Sequence, residues 1–129
     1  MFNYRSDDMR KNKNTCSIEK IHNKTVKSVL EKLEDEETVY NMATLFSTFS
    51  DSTRLKILLC LSRAKLCSCD ISAAVNISKS ATSHQMRILK MTKLVKAERK
   101  GKQIFYSLSD EHVSILLQAA LEHVKEGKK

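Results

Sequence analysis

The stretch SKSATSHQMRILKMTKLVKAERKGKQIFYSL, Ser78 to Leu108, changes its apolar period halfway along, and that change decides the fold. In the first half, Ser78 offers an N-cap and Met86 and Leu89 fall on one side, which predicts a helix from Ser78 or Lys79 to about Met91. In the second half, LVKAER and QIFYSL read as strands, with Ile104, Tyr106 and Leu108 on one face. Between them KGK supplies the turn, where Gly101 can take a positive φ. Just upstream, a short helix from Cys67 or Ser68 to Val75 ends at a turn on Asn76 and Ile77. Two short helices joined so tightly make a helix-turn-helix, and the hairpin behind them is a basic wing.

Working outward, TRLKILLCLSRA predicts a helix capped by Asp51 or Ser52, with Leu55, Leu58, Leu59 and Leu61 on its buried face and Cys60 as a small core residue. Earlier helices are expected from about Lys24 to Leu33, through Val26, Val29, Leu30 and Leu33, and from Glu37 to Phe49. A last helix should run from Asp110 to about Lys125, capped by Ser109, with apolar residues from Val113 through Leu121 to Val124. The expected organisation is a mobile, polar N-terminal arm over residues 1–23, one domain over 24–126 and a short tail at 127–129. The fold class is mainly α with a β-hairpin wing, a winged helix-turn-helix.

Composition agrees with a single helical domain. The chain has 129 residues, no proline and two glycines, so it lacks a glycine-rich loop to cradle a nucleotide phosphate. No apolar run approaches the roughly 20 residues needed to span a bilayer, and the N-terminus lacks a secretory pattern, so a cytoplasmic protein without a membrane partner is expected. In that compartment thiols stay reduced, and four cysteines speak for metal binding, redox chemistry or burial rather than disulfides.

The net charge of +8 is concentrated: eight cations lie between Lys79 and Lys102, against Glu98 alone. A basic face of this kind suits a polyanion, because counterion release from phosphates dominates nucleic-acid affinity; a solvated lysine-rich surface is the plainer alternative. In a helix-turn-helix the first half of the second helix enters the major groove, where base edges are distinguishable. Here that half carries Ser80, Thr82, Ser83, His84 and Gln85, suited to base edges and phosphates. Arg87 and Lys90 can reach the backbone, and Lys100 and Lys102 at the wing tip can follow the adjacent groove.

Two further groups have metal-ligand chemistry. In the last helix, His112 and His123 lie near one face but about 16 Å apart along the axis, so one chain cannot close a site on both. Antiparallel pairing of two copies across a two-fold axis would bring His112 opposite His123 and Asp110 near Glu126, giving two nitrogens and two carboxylates suited to tetrahedral Zn(II) or Co(II). Elsewhere, Cys67 and Cys69 in LCSCD can share a soft metal only at a helix start, since residues i and i+2 diverge on a regular helix. Cys16, with His22 as a further donor, can fill the remaining positions.

Together LCSCD, SATSHQMRIL with LV following, GKQIFYSL and the Asp110, His112, His123, Glu126 set resemble the ArsR/SmtB family of bacterial metal-sensing repressors, most of all its cadmium- and lead-sensing members. The resemblance spans about residues 15 to 126. It implies a homodimer that blocks transcription at operator DNA and is released by Zn(II), Cd(II) or Pb(II). It also implies that Cys67 and Cys69 are metal-box thiols, that Cys16 reaches them from the partner protomer, and that the last-helix set forms a second site. The chain departs from the pattern at Lys20, where those sensors carry a second arm cysteine, and at Lys65, where the metal box starts with Glu. Three thiolates, with His22 beside them, remain. Competing readings are a winged-helix repressor whose cysteines sense thiol oxidation, with the last-helix donors structural, and a zinc hydrolase. The hydrolase would need a pocket for a small organic substrate, which the sequence does not suggest.

Overall fold

The structure is a computed structural model and describes residues 19–128. In chain order the elements are α1 (Glu19–Lys32), α2 (Glu36–Phe49), α3 (Ser52–Leu61), β1 (Leu66–Cys67), α4 (Ser68–Val75), α5 (Lys79–Met91), β2 (Val95–Lys100), β3 (Gln103–Leu108) and α6 (Glu111–Glu126). The chain divides into two compact units, one up to Val39 and one from Tyr40.

In the first unit α1 starts at Glu19, not at Lys24 as the apolar spacing suggested. Its opening turn, Glu19 to His22, has a single apolar residue, Ile21, and one apolar residue does not register as a period even when nothing around it breaks a helix. His22 therefore lies on a helix. Val29, Leu30 and Leu33 are exposed.

The second unit contains the hydrophobic core. Ile57, Leu58 and Leu61 of α3 pack with Ile71 of α4, Met86 and Leu89 of α5, Leu94 and Val95, and Val113 and Leu117 of α6. Asp51 caps α3, its side chain accepting from the Arg54 amide. Asn76 ends α4 in the left-handed region, with φ 58°, and the Ile77 amide then donates to Ser72 O. Asparagine tolerates that conformation better than a β-branched or bulky residue, so the tight turn between the two helices is encoded at one position.

β2 and β3 form an antiparallel hairpin in which Val95 faces Leu108 and Lys100 faces Gln103. Gly101 sits in the turn at φ 63°. A third strand, which the sequence pattern does not announce, completes the sheet in the order β1-β3-β2: Leu66 pairs with Tyr106 and Cys67 with Phe105. Two residues are too few for a period of two to register, so β1 exists only because β3 offers its free edge. The last helix is capped by Asp110 and not by Ser109; its carboxylate accepts from the amides of His112 and Val113. Aspartate places a charged acceptor at the positive end of the helix, which a serine hydroxyl does not.

Candidate nucleic-acid interface and metal-ligating residues

The helix-turn-helix is held by a short chain of hydroxyls. Ser78 caps α5 by accepting from the Ala81 amide at 3.0 Å. Thr82 is fully buried, and its Oγ1 donates to Ser78 O at 2.9 Å. Because a threonine hydroxyl has one proton, the 2.7 Å contact between Ser72 Oγ and Thr82 Oγ1 must be donated by Ser72 of α4. Thr82, expected among the DNA-facing residues, is therefore a bolt between the two helices, turned inward with Met86 and Leu89.

The opposite face of α5 carries Ser80, Ser83, His84, Arg87 and Lys90, all exposed. Gln85 lies on the shoulder between the two faces, half-buried, and its Oε1 accepts from Arg54 Nη1 at 3.4 Å. Arg54 also donates through Nε to Thr48 O at 3.1 Å. The sequence reasoning passed over Arg54, although there was a signal: a cation in the first turn of a helix opposes the macrodipole and calls for a partner. On the wing, Lys100 and Lys102 flank Gly101 and are exposed, while Arg99 Nε donates to Gly101 O at 3.3 Å. A row of short hydrogen-bonding groups thus stands beside exposed cations, an arrangement that can address base edges and phosphates together.

The cysteine pair sits at a helix start, the placement that sharing one metal would require. Cys67 ends β1 and occupies the N-cap position of α4, whereas Cys69 is exposed in the first turn. Cys67 is buried, and both its amide and its thiol donate to Asp70 Oδ2, each at 3.2 Å. Cys16 lies outside the described residues. His22 is exposed on α1, and Cys60 is half-buried on α3.

At the start of α6, His112 Nδ1 lies 3.4 Å from Asp110 Oδ1, the oxygen that also caps the helix. His123 and Glu126 are exposed near the other end. The two pairs are not brought together within one protomer, and the described residues contain no cluster of three or more His, Cys, Asp or Glu able to hold a metal. No helix among the described residues is long and apolar enough to cross a membrane.

A helix-turn-helix with an exposed polar reading face and a basic wing defines the chain as a winged-helix DNA-binding regulator. Comparison with known proteins agrees. Residues 51–97 match the bacterial regulatory protein, arsR family, profile. A transcriptional repressor SmtB homolog of Synechocystis sp. is 38% identical over 87% of this chain and 85% of its own length. A cadmium resistance transcriptional regulatory protein CadC homolog of Staphylococcus aureus is 35% identical over 88% of this chain and 94% of its own. The solution structure of apo-NmtR superposes with a TM-score of 0.64 at 34% identity, over 73% of this chain and 79% of that one. The chain belongs to the ArsR family, and it is a transcriptional regulator, not an enzyme.

Proposed function

We propose that this regulator is a metal-responsive repressor that binds operator DNA in the cytoplasm as a homodimer and is released by Zn(II), Cd(II) or Pb(II). The observation that carries the metal reading is the division of the α6 donors into two half-sets, Asp110 with His112 and His123 with Glu126, each incomplete alone. A second copy of α6 running antiparallel would complete both. The donor set fits zinc or cobalt: two imidazole nitrogens, the Glu126 carboxylate and the Asp110 Oδ2, since Oδ1 serves the helix cap. Exposed Ile115 and Val124 on the same helix supply apolar surface for such pairing.

The thiols make a second, softer site that suits Cd(II) or Pb(II). Cys67 and Cys69 provide two sulfurs, and Cys16 of the partner, with His22, would complete it. A metal held by Cys67 would take the place of the hydrogen bond that its thiol donates to Asp70, at the start of α4 and hence of the helix-turn-helix. Release of DNA then follows from linkage, because the metal must bind the DNA-incompetent conformation more tightly, by several kcal/mol, to empty an operator. The reading is tested by metal stoichiometry: His112→Ala and Cys67→Ser should each abolish one class of site, and unchanged stoichiometry in both refutes it.

A further inference from the structure

Between α5 and the central strand of the sheet lies an open hollow of about 360 Å³, lined by Ser83, Met86, Arg87, Lys90 and Met91 of α5 and by Tyr106 of β3. Its polar groups are uncommitted. Arg87 and Lys90 form no ion pair among the described residues, and neither Ser83 nor the Tyr106 hydroxyl has a hydrogen-bond partner there. Among the same residues no buried side-chain oxygen lacks a partner, so the Tyr106 hydroxyl must be open to solvent. The ring beneath it is fixed, because it packs against the core on a strand paired through Leu66 on one side and Ala97 on the other. Met91, in contrast, is a large apolar side chain left 75% exposed in the lining of this basic hollow.

We propose that this hollow seats one backbone phosphate of the operator, with the Tyr106 hydroxyl donating to a phosphate oxygen beside Arg87 and Lys90, and with Met91 against the deoxyribose. The inference rests on the reading of α5 as the DNA-facing helix. Position and chemistry both favour a phosphodiester over a base edge. Met86 to Met91 belong to the second half of α5, whereas base edges are met by the N-terminal residues of a recognition helix. Two cations beside a hydroxyl donor match an anionic oxygen, and hydrogen bonds to an ionised acceptor are the stronger kind. Tyr106, which the strand pattern places only on an apolar face, thereby joins the DNA interface.

Fluorescence anisotropy with the full chain tests this, on a duplex it selects from a random library and on copies carrying one neutral methylphosphonate at a time. Tyr106→Phe deletes a hydroxyl that no described protein group holds, so the melting temperature should stay at the parent's while affinity falls about tenfold. Its salt dependence should match the parent's, because a phenol carries no charge, whereas Arg87→Met should lower the slope by about one unit. At one phosphate per half-site, the methylphosphonate should weaken the parent about tenfold or more and Tyr106→Phe distinctly less, which marks the partner of the hydroxyl. Parent-like affinity in Tyr106→Phe overturns the proposal. So does a lowered melting temperature, a changed base preference, or an equal loss in both proteins at every methylphosphonate. A parent chain that binds no duplex would instead overturn the reading of α5 on which the proposal rests.

Discussion

The two helices that carry most of the candidate functional side chains, α5 and α6, are organised in opposite ways. α5 is fixed by its own chain: Ser78 caps it, Thr82 bolts it to Ser72, Met86 and Leu89 are buried, and Arg54 holds Gln85 from the side. α6 buries only Val113 and Leu117 and leaves its four candidate donors exposed at its two ends. A recognition helix must present its groups in register before DNA arrives, so its geometry is complete within one protomer. On the proposed reading, the α6 donors need only be placed at the right separation, and would come together when a second copy of the helix pairs with the first.

Substitutions can break that contrast. The largest effect is expected at Leu89, fully buried beneath the reading face: Leu89→Ala should cost about 2–5 kcal/mol, read from urea unfolding, and reduce DNA binding only through the unfolded fraction. Thr82→Val should follow, losing about 1–2 kcal/mol because the Ser72 hydroxyl loses its partner. At low temperature, where the variant is folded, its operator affinity should match the parent; a large drop in fully folded protein would mean that Thr82 touches DNA after all. On α6, Asp110→Ala should lower stability by about 1 kcal/mol through removal of the cap, whereas Asp110→Asn should keep most of that stability. Both should lose affinity for Zn(II), and calorimetric unfolding beside a metal titration separates the two roles. Smallest in stability terms are Lys100→Ala and Lys102→Ala at the wing tip. Neither should shift the melting temperature measurably, but each removes one cation from the phosphates and should reduce the salt dependence of DNA affinity by about one unit of slope.

The parts legible in the sequence were those with a strong local rule. A change of period from helix to strand, a serine before a helix, an asparagine at a tight turn and a glycine between lysines each act over a few residues, and the helix-turn-helix and wing follow from them. What stayed hidden depends on partners far along the chain. β1 is two residues recruited by the edge of β3, and Thr82 looks like any polar residue of a reading helix until Ser72 is placed against it. Ser109 and Asp110 both qualify as caps by composition, and only the backbone path decides between them. Arg54 declared itself only by standing at the wrong end of a helix dipole, and its partner could not be named without the packing of α3 against α5.

The central claim is that metal binding and DNA binding oppose each other through a site that one protomer cannot form alone. Fluorescence anisotropy on a duplex selected by the full chain, with the parent and His112→Ala each titrated without metal and with saturating Zn(II), tests it most directly. The parent should lose affinity by about two orders of magnitude or more on adding Zn(II), a coupling of about 3 kcal/mol, while His112→Ala binds equally with and without it. Equal affinity of the parent with and without zinc and cadmium, both at saturation, would contradict the account.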